Sequence, residues 1–409
     1  MHVWLSMLIT SCLLVFYNYI GYAIPIYLWN RLQRDRPLVH HAVPPLVHPP
    51  APQDWPTVSF IVAAYNEKDC IREKIRNSLD QDYPHEKLEF IFITDGSTDE
   101  TPQIIAAYPE IHALYEPERK GKSAAINRAV ATATHEILIF SDANTILNPE
   151  AVKNIARHYP DPKVGGIAGE KKVLPTGTHH PDEVGDGEGL YWKYESFLKK
   201  QDSAFYSVVG AAGELFSLRA ALYEPLPDYI ILDDFVLSLS IAQKGYRVLY
   251  EPDAYAMELP SFSIADEQKR KVRIAAGGFQ AIGLLTPLLA FWRNPRLSYL
   301  YISHRVLRWA VSPLCLILAF ISNVILFAGA AVRHTPILAY GLLLLAQVLF
   351  YGMAALAGLF PTLKKNSRLI KLCYYFVFMN TSVIRGFFRF LRGRQAATWD
   401  KARRVQSPA

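Results

Sequence analysis

The sequence predicts an α/β domain with a mostly parallel sheet, attached to a membrane by apolar helices at both ends. Three observations carry this. Short apolar runs alternate with helical stretches between Thr57 and Phe140; residues Met1 to Asn30 contain no Asp, Glu, Lys or Arg; and two more long uncharged runs lie between Arg308 and Lys364. Strands alternating with helices of about a dozen residues make a parallel sheet covered on both faces. A helix needs about 20 apolar residues to cross a hydrocarbon core.

The first run reads as a transmembrane helix over residues 1–30. Its basic residues, Arg31, Arg34 and Arg36, follow the apolar stretch, whereas a cleaved signal would have them in front. The positive-inside rule then puts the N-terminus outside and the rest of the chain in the cytoplasm. Residues 31–56 hold seven prolines between Pro37 and Pro56 and read as a linker. Its histidines, His40, His41 and His48, read as solvated.

The domain itself is expected over residues 57–260. Strands are predicted at Val58–Ala64, Leu88–Thr94, His112–Tyr115 and Glu136–Phe140, with helices ending near Gln81 and spanning Thr101–Tyr108 and Lys122–Ala133. Residues 261–304 are expected as amphipathic helices at the membrane face, beginning with the charged stretch Asp266 to Arg273. Residues 305–363 form a transmembrane hairpin, Trp309–Val332 and His334–Leu363, flanked by Arg305 and Arg308 on one side and Lys364 and Lys365 on the other. Its tip, Arg333 to Pro336, faces outward. Residues 364–409 give a helix over Leu372–Ile384, too short to cross comfortably and so interfacial or re-entrant, then a basic cytoplasmic tail.

Composition narrows the partners. Hydrophobic residues make up 51% and charged residues 20% of the chain, and the net charge of +6 is modest. The basic residues sit beside the apolar runs, which favours anionic lipid headgroups and phosphorylated substrates over nucleic acid. The four cysteines share no short spacing, so no cysteine-built metal site is expected.

Ligands of open α/β sheets bind beyond the carboxyl ends of the strands. Tyr65-Asn66-Glu67 follows the first predicted strand, Asp95-Gly96-Ser97-Thr98-Asp99 the second, and Asp142-Ala143-Asn144 the fourth. Asp142 and Asn144, two apart, can offer oxygen ligands to one hard cation whose other positions go to water and phosphate. Arg119-Lys120-Gly121-Lys122-Ser123 opens a helix, where free N–H groups and a lysine suit an anion. Asp233 and Asp234 start another helix, as caps or as a base for a hydroxyl proton. Tyr191 to Glu195 is aromatic enough to stack a sugar, though such helical spacing more often marks core, and Thr176 to Glu188, with His179 and His180, reads as a loop.

These motifs, with Gly213 to Arg219 and Asp233-Asp234, resemble a family 2 glycosyltransferase of the membrane-bound synthase type (cellulose, hyaluronan, chitin or poly-N-acetylglucosamine). The resemblance spans about Thr57 to Trp292. It implies a GT-A fold and an inverting transfer from a nucleoside diphosphate sugar, usually of uridine, with Mg²⁺ or Mn²⁺. It places Tyr65, Asn66, Glu67, Asp95, Lys122 and Asp142 around the donor, Asp142 and Asn144 on the metal, and Gly213 and Glu214 near the acceptor, where the aromatic segment adds Trp192 as a sugar-stacking candidate. Asp234, beside Asp233, falls at the position of the catalytic base. Asn144 stands where the family's metal motif has Asp, which removes one negative charge. Arg270 and Arg273 match the ends of a Gln-x-x-Arg-Trp motif, with Arg for Gln and Ile274 for Trp, and imply pairing with the departing diphosphate; a lipid-facing role competes. The acceptor reads as a polysaccharide or a lipid-linked sugar. A single-sugar transferase acting on a polyprenyl phosphate or another lipid, and a catalytically silent export scaffold, remain the alternatives.

Overall fold

The computed structural model describes residues 1–33, 54–174, 185–259, 263–334, 337–360, 363 and 367–393. Most of the proline-rich linker, the His179-His180 loop and the end of the basic tail lie outside these. The N-terminal helix runs as α1 (His2–Phe16), a π-helical turn over Tyr17–Gly21 and α2 (Ala23–Leu32).

The domain then alternates β1 (Val58–Ala64), α3 (Ile71–Leu79), β2 (Leu88–Asp95), α4 (Thr101–Ala106), β3 (Ile111–Glu116), α5 (Lys122–Val130) and β4 (Ile137–Asp142). Every predicted element in this stretch is present. Strands β1, β2, β3 and β4 are parallel, and Ala64 lies opposite Thr94 and Ala63 opposite Asp142. Their carboxyl ends are therefore level. Alternation along β1 sends Val58, Phe60 and Val62 to one face, packed on α3 and α4, and Ile61 to the other, under α5.

The second half is less regular: β5 (Ile146–Leu147), α6 (Ala151–Ala156), β6 (Val164–Val173), α7 (Gly185–Phe205), β7 (Leu215–Arg219), α8 (Asp233–Gln243) and β8 (Arg247–Glu258). The eight-stranded order is β3-β2-β1-β4-β7-β6-β8-β5. β7 runs antiparallel to both β4 and β6, so the sheet is mixed, with its parallel part on the side of the predicted motifs.

Beyond the sheet come α9 (Ile264–Leu284) and α10 (Pro295–Tyr301), then a π-helix (Ile302–Val311) continuous with α11 (Ser312–Val332), followed by α12 (Leu338–Leu359) and α13 (Arg368–Leu391). Among the described residues three helical stretches are long and apolar enough to cross a membrane: His2–Leu32, Pro295–Val332 and Leu338–Leu359. The N-terminal helix packs antiparallel on α11. Met1 Sδ lies 3.3 Å from Arg333 Nη1 at one end, and Tyr17 bonds Ser303 at 2.8 Å toward the other.

The structure adds detail to three expectations. Arg305 and Arg308 lie inside the continuous helix that begins at Pro295, just ahead of its long uncharged run. Leu372–Ile384 is the middle of a 24-residue helix that does not double back. Finally, α13 covers one side of α9, where Gly386 meets Ala275 and Ala276, and Glu267 and Lys271 of α9 are buried.

A third core cluster joins the N-terminal helix to the domain. Tyr22 and Ile26 pack with Leu198 of α7, Phe235 of α8, Ala281 of α9 and Tyr301 of α10. Polar bonds lock this joint, because Tyr22 donates to Asp202 at 2.9 Å and His304 Nδ1 lies 2.6 Å from the same carboxylate.

Candidate active site

A cavity of about 310 Å³ opens at the carboxyl ends of β1, β2 and β4 and reaches back to the π-helix and α13. Tyr65, Glu67, Asp95, Lys122, Asp142, Asn144, Trp192, Gly213, Glu214, Asp233, Asp234, Arg270 and Arg273 all line it. Of the predicted site residues only Asn66 is absent from the wall. It adopts a left-handed φ of 53°, and its side chain accepts from Thr98 N at 2.8 Å, so it ties the first loop to the second.

Asp95 is spent on architecture. One carboxylate oxygen accepts from the backbone N–H groups of Lys120 and Gly121 at 3.0 and 2.6 Å, and the other meets Arg128 at 2.7 Å. Gly121, at φ 102°, makes the turn that starts α5 and delivers Lys122 to the cavity. Arg119, in the same loop, stacks on Tyr65 with its guanidinium 3.6 Å from the ring centre.

Lys122 is the hub. Its Nζ lies 2.7 Å from Asp142 Oδ1. A Cβ on Gly213 would fall 2.8 Å from Lys122 Nζ, 3.4 Å from Asp234 Oδ2 and 3.7 Å from Asp142 Oδ1. Three separate motifs thus meet at one bare glycine. Burial alone would favour a neutral lysine, but Asp142, Asp233 and Asp234 outweigh it and hold the Lys122 pKa above the ordinary value. Asp234 shifts the other way: burial, then the neighbouring Asp233, push its carboxyl up to about 7. Arg273 is lowered to about 10 by burial and by Arg270, with Asp142 and Asp233 opposing.

Glu214 and Arg270 likewise have salt-bridge partners within the protein. Glu214 pairs with Lys171 at 2.5 Å and Arg270 at 3.3 Å; burial would raise its pKa, but these cations hold it well below the usual carboxylate range. Arg270 also reaches Glu258 and Glu267, both at 3.7 Å. Trp192 stands on the wall with Lys171 Nζ 5.0 Å and Lys199 Nζ 5.6 Å from its ring. Its neighbour Glu195 is core, as the helical spacing allowed.

The acids fit a divalent cation in part. Asn144 donates its amide N–H to Glu258 at 3.3 Å, and an amide oxygen is of the kind that can ligate a hard cation beside a carboxylate such as that of Asp142. Among the described residues no three His, Cys, Asp or Glu side chains form a cage. The donor set therefore suits a cation that shares its shell with water and phosphate.

Sequence reasoning missed Lys74. It is fully buried on α3 and donates to Ser141 at 2.6 Å and to the Thr145 carbonyl at 3.0 Å, bracing the loop that carries Asp142. Burial lowers its pKa to about 7. Its signal, a lysine on the apolar face of a helix beside Ile71 and Ile75, was readable but ambiguous.

Comparison with known proteins bears on the domain and its fold. A poly-β-1,6-N-acetyl-D-glucosamine synthase of Staphylococcus aureus (strain MSSA476) is 27% identical over 235 residues, covering 55% of each chain. That of Staphylococcus epidermidis is 25% identical over 245 residues, covering 58% of this chain and 56% of the other. The chain thus spans about half the length of the curated relatives it matches. A mannosyltransferase from Pyrobaculum calidifontis, solved in complex with GDP-Man and Mn²⁺, superposes with a TM-score of 0.67 over 95% of this chain and 99% of that one, at 22% identity, a likeness of fold. Residues 59–225 match the family described as Glycosyl transferase family 2, and the chain carries a glycosyltransferase domain of that family.

Proposed function

We propose that this domain transfers a sugar, with inversion, from a nucleoside diphosphate sugar, uridine-linked in our reading, to a polysaccharide or membrane-held acceptor. The observation that carries the reading is the meeting of Lys122, Asp142 and Asp234 around Gly213. An attacking hydroxyl must lose a proton as it bonds to the anomeric carbon, and the leaving diphosphate gathers negative charge. Asp234, with a raised pKa, is a stronger base than an exposed aspartate and accepts the proton. Lys122 and Arg273 are the cations placed to meet the diphosphate. Asp142 and the Asn144 oxygen would hold Mg²⁺ or Mn²⁺, which when bound neutralises phosphate charge. A protein of the same fold with GDP-Man and Mn²⁺ supports that assignment.

In this reading the catalytic side is cytoplasmic and the apolar helices make a multi-pass anchor in the cell membrane, in contact with its lipids. Arg31, close to the end of the first helix, supports the orientation. The experiment is a screen of nucleotide sugars with purified protein in lipid nanodiscs, reading nucleotide release and product size. Release that requires Asp234 supports the proposal; undiminished release by Asp234→Asn refutes the base assignment.

A further inference from the structure

Asp234 is the second residue of α8, and the start of that helix has no side-chain cap: Leu232, in the N-cap position, is apolar. The chain leading into it, Tyr229 to Leu232, belongs to neither helix nor strand. Its backbone groups therefore need partners from elsewhere in the fold. Ser123 of α5, next to Lys122, donates its hydroxyl to the Ile230 carbonyl at 3.1 Å. Gln280 of α9 uses both ends of its amide. Its oxygen accepts from Ile231 N at 3.0 Å, and its Nε2 donates to the Tyr229 carbonyl at 3.1 Å. Two bonds from one planar group fix the direction of the segment as well as its distance, three residues before Asp234.

The shape of α9 suits this approach. Arg273, Gly277 and Gln280 fall at positions i, i+4 and i+7 and so share one face of the helix. A Cβ on Gly277 would lie 2.8 Å from Leu232 Cγ and 2.9 Å from Ile231 Cβ, so only a bare backbone lets α9 come this close to the segment. Behind it stands α13, whose Gly386 meets Ala275 and Ala276. One helix, backed by another, thus carries Arg273 into the cavity and grips the chain that leads to Asp234.

Resting on the transferase reading above, we propose that Gln280 is a positioning residue for the reaction: its amide fixes the Tyr229–Leu232 segment and so sets where Asp234 stands relative to Lys122 and Asp142. Gln280 is not part of the cavity wall, so it acts through Asp234. Misplacing a reacting group by about 1 Å costs on the order of 100-fold in rate. Donor binding, which that reading assigns to Lys122, Asp142 and the loops after β1 and β2, is left in place.

The test uses the full chain in phosphatidylcholine nanodiscs, with UDP-glucose, UDP-N-acetylglucosamine and GDP-mannose as donors and nucleotide release as the readout. Gln280→Met keeps the length of the side chain and removes both bonds. It is expected to lower kcat by about 10- to 100-fold while donor KM stays within about threefold of wild type. In the Asp234→Asn background the same substitution should cost less than about twofold more, because the base it places is already gone. Hydrogen exchange over residues 226–235 should quicken by about tenfold or more in Gln280→Met, with α5 unchanged. Unchanged kcat, a KM that rises in step with the loss of kcat, losses that multiply in the double variant, or unchanged exchange in this segment would each overturn the proposal. The two claims separate cleanly. A fully active Gln280→Met beside an inactive Asp234→Asn sinks this inference alone, whereas full release by Asp234→Asn, or none by wild type from any of the three donors, sinks the reading on which it rests.

Discussion

Replacing Gly213 by alanine adds one methyl group at the point where the three site motifs meet. Gly213 does not occupy the left-handed region, so alanine can adopt its backbone. The new carbon would lie 2.8 Å from Lys122 Nζ, against an ordinary contact of at least 3.4 Å, and the flexible end of Lys122 is the part that can yield. The ammonium must move by about 0.6 Å or more. Its 2.7 Å bond to Asp142 then lengthens or swings out of line. A charge-assisted bond of this kind contributes about 1.5–3 kcal/mol, and misplacing a reacting group by about 1 Å costs on the order of 100-fold in rate. Gly213→Ala is therefore expected to lower kcat/KM for nucleotide release by about 10- to 100-fold while shifting the melting temperature by less than about 2 °C. Release kinetics and a thermal melt on the same preparation check this. Full activity in Gly213→Ala would show that the glycine does not border the reacting groups, and a large loss of stability would show that the contact is structural.

Asp234→Asn should lower kcat by about 100-fold or more, the usual weight of a positioned base. In the wild type, kcat should rise with pH and level off above about 7, where Asp234 has lost its proton. Because the folded-state value is raised, this group's contribution to stability is present below about pH 4 and is lost as pH climbs to about 7, so Asp234→Asn should melt higher than wild type at pH 8. Glu195→Gln strips the shared carboxylate from Arg305, Arg308 and His304 and should cost about 3–5 kcal/mol in chemical unfolding. Burial opposes ionisation of Glu195, but these cations hold its pKa well below the usual range, so its stabilisation persists above about pH 4.5 and fades as pH falls further. Chelation should abolish turnover and Mn²⁺ or Mg²⁺ restore it, with no restoration in Asp142→Ala; metal-independent turnover would refute the cation assignment.

What could be read from the sequence divides along a physical line. Elements from Val58 to Asp142 were legible because each strand is a continuous apolar run ending in polar residues, and parallel pairing puts such ends on one level. Asp142 could be named for the same reason, whereas Lys122 and Asp234 open helices and were named from a helix start and from the motif resemblance. The second half was harder, since β7 reverses direction between β4 and β6 and no local pattern announces a partner strand. The partners of Glu214 and Arg270 were equally hidden. Lys171 is 43 residues from Glu214, and Arg270 is 56 away. A lone acid or arginine in a sequence carries no sign of whether it faces a ligand or another charge.

The same limit applies to the joint between membrane and domain, and there the structure adds an argument about mechanism. Arg305 and Arg308 read as charges flanking an apolar run, because that is where snorkelling cations usually sit. Instead, the helical span begins at Pro295, and a π-helical stretch over Ile302–Val311 carries His304 and Arg308 against Glu195 and Asp202 of α7. π-helical turns insert a residue into the helical register and often mark functional positions. Here the altered register brings His304, Arg305 and Arg308 together onto one helix, α7, four residues after Tyr191. Tyr191 and Trp192 line the cavity from that helix, so this wall is held by charges of the π-helical stretch as well as by the domain's own core. A helical span long and apolar enough to cross a membrane and the cavity therefore share α7 as a support.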